Sequence, residues 1–351
     1  MSPSPGRTIG VGILGAGPVV QAIHLPTLAR LSERLTVTHV MDVSPDVAQS
    51  VAARADAAWS TSTEDLLADP RVEIVAVCSP SQFHADQVIA AMRAGKRAVL
   101  CEKPFATTRG EAEQIAAVSA ETGVPVIVGA MHTFDPVWLA AREQWGDLPE
   151  TAHTIRSSIV LPPNPRFEDA ATEVEGRQPF PMPDEFTPEF QGQLMTGGVL
   201  GLAIHDLPLV RAVAGGHEPQ VTAARRLDPF GYAITLRAGD RIVELLGVMH
   251  EHWLPRWELE ILAEHEALCL EFTPSYVHAG SGTGELHRED GSVLSLGGAD
   301  HNGYEGEWRA LADHLENGGP IPSPETLIAD LDFALSIADQ SSALVIQEAQ
   351  A

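Results

Sequence analysis

A chain of 351 residues, 44% hydrophobic and 20% charged, is long enough for about two domains with sizeable cores. Its 48 Asp and Glu against 22 Lys and Arg leave a formal charge of -26, which excludes the phosphate-neutralising surface of a nucleic-acid binder and disfavours docking on an anionic membrane. A cationic substrate such as an amino sugar gains from that field, although a solubilising surface alone also accounts for it. Three scattered cysteines, Cys78, Cys101 and Cys269, are too few for a disulfide framework, so the reading is cytoplasmic. No run reaches the roughly 18 apolar residues of a membrane span, and the polar, proline-rich Met1–Thr8 lacks the apolar core of a secretory signal.

From Ile9 to Val128, short β-branched runs alternate with helical patterns. Ile9–Leu14, Leu35–Met41, Ile74–Cys78, Ala98–Cys101 and Val124–Val128 read as buried strands, while Ser81–Ala94 and Thr107–Glu121 carry apolar positions at helical spacing. Asp46–Ala55 and Thr63–Ala68 read as further helices, with Pro45 suited to a first turn and Thr63 to an N-cap. The alternation predicts an α/β, doubly wound parallel sheet: a Rossmann domain over residues 1–130.

Residues 131–351 read as a second, α+β domain for substrate binding and oligomerisation. A helix over Pro136–Trp145 precedes a strand over Thr151–Leu161. The following 161–190 stretch, rich in Pro, Glu and Phe, has no period and reads as an arm or lid. A helix over Gly197–Ala214 leads into strands at Gln220–Leu227, Tyr232–Arg237, Ile242–Met249, Arg256–Ala263 and Ala267–Phe272. Their short turns, such as Ala238-Gly239-Asp240, predict a mostly antiparallel open sheet. Helices near Tyr304–Glu316 and Pro324–Gln347 close the chain, the last able to pack back on the first domain.

The segment Gly15-Ala16-Gly17-Pro18-Val19-Val20 ends the first strand and opens a helix. Gly15 allows the tight turn, and Gly17 lets backbone approach a pyrophosphate at the helix N-terminus. Val20 stands where the third glycine of G-x-G-x-x-G belongs, a position concerned with helix–strand packing. Asp42 follows the second strand, where an acid accepts hydrogen bonds from the adenosine ribose hydroxyls. Neither Val43 nor Ser44 supplies a cation for a 2′-phosphate, which favours NAD over NADP.

With these residues, several further segments look alike to one family: His24-Leu25-Pro26-Thr27-Leu28, Cys78-Ser79-Pro80-Ser81-Gln82-Phe83-His84, and Cys101-Glu102-Lys103-Pro104-Phe105. Together with Tyr304 opening one late helix and Pro322–Ala334 opening the last, they give a chain that resembles the Gfo/Idh/MocA oxidoreductases, the relatives of glucose-fructose oxidoreductase and inositol dehydrogenase. The resemblance implies that Lys103 lies beside the nicotinamide and the reacting hydroxyl. An ammonium there stabilises a developing alkoxide, and a desolvated lysine exchanges protons near neutral pH. It further implies a cis bond before Pro104, and cofactor contacts from Gly15, Ala16, Gly17, Val19, Val20, Asp42, Ser79, Pro80, His84, Glu102 and Lys103. Homodimers or homotetramers are implied as well.

The second half departs from the pattern. The family carries Asp-x-x-x-His on a helix after a glycine pair; here His205 keeps the histidine and Gly201 replaces the aspartate. His205 is the expected general base, and Asp206, about 100° further round a helix, is a poor stand-in for the lost acid. Relatives commonly carry Tyr-Arg where this chain has His132-Thr133, and a missing arginine fits a neutral or cationic substrate. His132, Asp206, His301 and Tyr304 are candidate substrate contacts. His250 and His252 share a strand face without an evident third ligand, so no metal is expected, and Trp253 and Trp257 read as packing residues. The expectation is an NAD-dependent oxidoreductase that moves a hydride between a nicotinamide and a secondary alcohol of a sugar, cyclitol or amino sugar. The alternatives are a glycosidase-like non-redox enzyme that uses NAD transiently, or a dinucleotide-binding regulator.

Overall fold

The first strand, β1 (Ile9–Leu14), is buried at every position, as expected of a strand covered on both faces. The computed structural model describes residues 8–177, 183, 185–250 and 254–351. It adds β2 (Leu35–Met41), β3 (Ala58–Ser60), β4 (Ile74–Val77), β5 (Ala98–Cys101) and β6 (Val126–Val128) to β1 in one sheet of order β3-β2-β1-β4-β5-β6. Every neighbouring pair is parallel. The strand order reverses between β1 and β4, which creates the crevice where Rossmann folds bind dinucleotides.

Local chemistry sets the helix starts. Ser44 accepts the amide of Val47 with Pro45 in the first turn, and a Thr108–Glu111 capping box opens Arg109–Thr122, which Gly123 closes at φ 71°. Ser62, not Thr63, caps Thr63–Ala68: its hydroxyl accepts the Asp65 amide at 3.2 Å, so the cap lies one residue earlier than expected. The edge strand β3 has only three residues and no buried side chain, which is why no apolar run announces it.

The chain divides into two compact units. The first comprises Met1–Gly129, Glu168–Pro179 and Glu307–Ile328, and the second comprises Ala130–Phe167, Phe180–Gly306 and Ala329–Ala351. Part of the supposed arm is therefore structured. Pro165–Ala171 is a helix, and the buried Gln21 exchanges hydrogen bonds of 2.9 Å with both backbone groups of Glu175. The helix buries a single residue, Glu168, paired with Arg177 at 2.8 Å, so it shows no apolar period.

In the second unit β7 (Thr154–Leu161), β8 (Pro219–Arg226), β9 (Phe230–Ala238), β10 (Arg241–Met249), β11 (Arg256–Leu262), β12 (Ala267–Glu271), β13 (Thr283–His287) and β14 (Val293–Gly297) form one sheet. Its order is β14-β13-β12-β11-β7-β10-β9-β8, antiparallel except at the central β7–β10 pair. Alternating burial along β10 and β11 shows one covered face. Strands β13 and β14 escaped the sequence reading because they bury one side chain between them, Leu286.

The expected helix over Gly197–Ala214 is three pieces. An α-helix runs over Pro188–Gly201, a 3₁₀ turn over Ala203–His205 and a second α-helix over Leu207–Val213, with Leu202 leaving helical geometry at φ -120°. Pro208, which cannot donate within a helix interior, sits in the first turn of the last piece. The first piece crosses the covered face of the sheet, where a Cβ on Gly198 would come 2.9 Å from the Tyr232 ring. Among the described residues no single helix is long and apolar enough to cross a membrane.

Candidate active site

In the first unit the loop after β1 turns at Gly15, whose φ of +87° suits glycine. A Cβ there would sit 2.8 Å from the Cys78 carbonyl and the Ser79 amide nitrogen, so β1 and β4 approach through the missing side chain. Asp42, at the end of β2, accepts the Ala16 amide at 2.8 Å and the Ser44 amide at 2.9 Å. One oxygen serves each amide, which leaves acceptor capacity on both for hydroxyl donors. A Cβ on Gly17 would meet nothing within 4 Å, so open space lies over the start of the helix. These features fit a dinucleotide, with its pyrophosphate over Gly17 and a ribose at Asp42. Val20 is wholly buried and begins a π-helical turn, Val20–His24, filling with packed side chain what a glycine would leave empty.

The ends of β4 and β5 are tied together by His84. Its buried ring faces the Ser79 carbonyl at 2.7 Å and the Pro104 carbonyl at 2.8 Å, and the Lys103–Pro104 bond is cis. Lys103 is half-buried. Burial lowers the pKa of its ammonium below the ordinary lysine value, with Glu102 opposing. Burial alone would raise Glu102, but the His24 hydrogen bond and the charges beside it hold its carboxyl below the usual range.

Three residues of this cluster were not singled out as site residues from sequence. His24 Nε2 lies 2.9 Å from Glu102 Oε1, and the Trp308 indole N–H donates to His24 Nδ1 at 3.1 Å. Glu307 is fully buried, and neither carboxyl oxygen has a hydrogen-bond partner among the described residues. Burial, then the nearby Glu102, push its pKa well up. His24 was visible only within a family motif, and the other two come from a helix some 280 positions away.

In the second unit the His132 ring nitrogen Nδ1 lies 2.7 Å from Asp206 Oδ1, with both side chains buried. Asp206 also accepts the Ser157 hydroxyl at 2.6 Å and the Trp257 indole N–H at 2.9 and 3.0 Å. The carboxylate fixes the His132 proton on Nδ1, so Nε2 presents its lone pair. Stacking on Phe272 at 3.9 Å and an edge contact with Trp257 at 4.6 Å hold the ring. His205 is buried with its ring 6.3 Å from that of His132 and 5.5 Å from Trp257.

Asp206 pairs with an imidazole from a separate segment, that of His132, which no helical spacing predicted. The continuous helix expected through this region breaks at Leu202. For the same reason Gly201 and His205 do not share a helical face, and a Cβ at Gly201 would meet only open space. Trp257 packs in the sheet as expected and also donates to Asp206. Tyr304 lies in the first turn of the helix Gly303–Asn317, where a helix start was expected, and is buried. Gly303 has no room for a Cβ, which would lie 1.9 Å from the Met131 carbonyl, so that helix begins against the turn carrying His132. His301 is half-buried beside Asp300 at 3.0 Å. His250 directly follows β10, whereas His252 and Trp253 lie outside the described residues. Among the described residues no His, Cys, Asp or Glu cluster is arranged to hold a metal ion.

Residues 9–130 match the model of the oxidoreductase family with an NAD-binding Rossmann fold, GFO_IDH_MocA. The inositol 2-dehydrogenase of Acidothermus cellulolyticus is 32% identical over 170 residues, which cover 47% of this chain and 49% of that protein. The chain thus spans about half the length of the curated relatives it matches. Among solved structures, GenD2 from gentamicin A biosynthesis, in complex with NAD, is similar with a TM-score of 0.71 at 20% identity, covering 97% of this chain and 96% of that one. KijD10, a 3-ketoreductase from Actinomadura kijaniata in complex with NADP and TDP-benzene, gives 0.70 at 20% identity over 95% and 98%. At that identity these two likenesses speak for the fold.

Proposed function

We propose that this chain, whose residues 9–130 match the NAD-binding Rossmann model of the Gfo/Idh/MocA oxidoreductases, is an NAD-dependent dehydrogenase or ketoreductase acting on a secondary alcohol of a sugar, cyclitol or amino sugar. The observation that carries the reading is Lys103: a half-buried lysine at the end of β5, with an ammonium shifted down by burial and a backbone held by Glu102 and His84. In this reading residues 1–130 hold the cofactor and residues 131–351 receive the substrate.

Gly15, Ala16, Gly17 and Val19 would hold the pyrophosphate, Asp42 the adenosine ribose, and Ser79, Pro80 and Glu102 the nicotinamide end. Bound NAD supplies the hydride acceptor. Neutral Lys103 accepts the hydroxyl proton, and the ammonium so formed stabilises the charge on the oxygen as the hydride departs; burial, which lowers its pKa, favours the neutral form that starts the step. His132, polarised by Asp206, offers Nε2 as a base, with His205 beside it. An Asp–His pair persisting after the change at Gly201 favours an active enzyme over a regulator with lost catalysis. Asp42 engages two amides and has no cation at Val43 or Ser44, which supports NAD in preference to NADP.

Purified protein incubated with NAD and a panel of sugars, cyclitols and amino sugars is expected to produce NADH with at least one of them. Turnover without net NADH would instead identify a non-redox enzyme, and cofactor binding without any turnover a regulator. The Lys103→Ala variant is expected to lose about 10²- to 10⁴-fold in kcat while binding NAD within a few-fold of the parent. Near-full activity in that variant would sink the proposed mechanism.

A further inference from the structure

If Lys103 is the acid–base group of the reaction, its usefulness depends on how firmly it holds its proton. Beneath it lies a set of contacts that the reaction itself does not call for. The Trp308 indole can only donate, so its hydrogen bond to Nδ1 fixes His24 in the tautomer that carries its proton on Nε2. That Nε2–H donates to Oε1 of Glu102, and Oε2 of Glu102 accepts the backbone amide of Lys103 at 3.2 Å. His24 and Trp308 are wholly inaccessible to solvent. Both ring nitrogens of His24 are thus committed to one arrangement, whose far end is the carboxylate beside Lys103.

Cysteines and a glutamate from three other elements lie close by, and each is shifted toward its neutral form. Cys78 after β4, Cys101 on β5 and Glu307 on the late helix are each pushed up, first by burial and then by neighbouring charge. His84 meets the Pro104 carbonyl next to Lys103. Among the described residues Glu102 is a carboxylate whose charge supports the Lys103 ammonium, and its own ionisation leans on His24.

We propose that Trp308 and His24 are positioning residues that hold Glu102 as a fixed carboxylate beneath Lys103 and so set the proton affinity of its ammonium. A buried carboxylate deprived of its N–H donor takes up a proton more readily. A neutral Glu102 no longer supports the ammonium, and Lys103 then loses its charge at lower pH.

The sequence offers an unusually clean probe, because Lys96 and Lys103 are the only lysines in the chain. Lys96 is buried, with Nζ donating to the carbonyls of Asp69 and Val72. Reductive methylation with ¹³C-formaldehyde labels the two ε-amines and the α-amine, and Lys103→Arg identifies the signal of interest. The titration is followed by NMR on the full-length protein without cofactor or substrate. Trp308→Phe and His24→Leu are expected to move the Lys103 midpoint down by about half a pH unit or more, with the Lys96 signal unmoved. His24→Gln, whose amide keeps an N–H donor and an acceptor, is expected to stay near the parent. An unmoved or raised Lys103 midpoint in both disrupting variants overturns the proposal, as does a Gln variant that behaves like Leu. The result stands apart from the functional reading, which fails instead if Lys103→Ala remains active.

Discussion

Nδ1 of His132 and Oδ1 of Asp206, 74 positions apart in sequence, meet at 2.7 Å, and both side chains are buried. The pair restores in three dimensions the imidazole–carboxylate partnership that Gly201 removes from the sequence. Asp206→Asn is expected to lower kcat by about 10²-fold or more, because an amide cannot hold the His132 proton on Nδ1 while accepting from Trp257 and Ser157. It also weakens the charge-assisted hydrogen bonds that Asp206 accepts, at a cost of about 1–3 kcal/mol. Steady-state kinetics with denaturant unfolding tests both; an unchanged kcat in folded protein would remove His132 and Asp206 from the chemistry.

Gly201→Asp is expected to fold normally, since its Cβ enters open space at the end of the helix. It is expected neither to raise kcat in the parent nor to rescue Asp206→Asn, because the break at Leu202 separates it from His205. Recovery of activity in the double variant would show that a carboxylate at position 201 can still reach His205 or His132.

Asp42 gathers the amides of Ala16 and Ser44 while facing the proposed ribose. Asp42→Ala should weaken NAD binding by about 10- to 100-fold, in line with losing about 1.5–3 kcal/mol of charge-assisted hydrogen bonds. NADP binding should suffer less, narrowing the preference between the two. Titration of each cofactor by protein fluorescence measures both effects, and equal losses would mean that Asp42 only shapes the loop.

Glu307 gives a pH signature. Its pKa is raised in the folded protein, so the unfolded chain releases this proton first as pH rises. Its contribution is favourable below the unfolded value and is lost progressively between there and the folded pKa. Glu307→Gln removes this dependence. Its stability relative to the parent is expected to grow from about pH 4.5 upward, by at most about 1.4 kcal/mol per pH unit. Denaturant midpoints at several pH values decide the matter; a pH-independent difference would mean the side chain is not buried as a neutral acid.

The cofactor half was legible because its strands are covered on both faces and read as continuous apolar runs; β1 and β2 fall where the residues place them. The loop at Gly15 and the acid at Asp42 depend on local backbone chemistry, which sequence carries directly. The second unit was less legible for physical reasons. The Pro188–Gly201 helix is apolar on most faces and rich in glycine, so no period marked its end; Pro208 was the available signal. The His132–Asp206–Trp257 cluster draws on three distant segments, and no spacing rule connects them. Glu307 reads as an ordinary helical acid until its burial is known.

The hydrogen bond between Trp308 and His24 spans 284 positions within one folded unit. During synthesis residues 9–130 emerge well before Trp308 and Glu307, the groups that pack against His24 and Glu102. A fragment stopping at residue 130 would contain the glycine loop and the β-sheet but neither Trp308 nor Glu307. Such a fragment would leave the buried His24 without its Trp308 donor, so this unit is complete only once residues 307–328 have been made and have joined it.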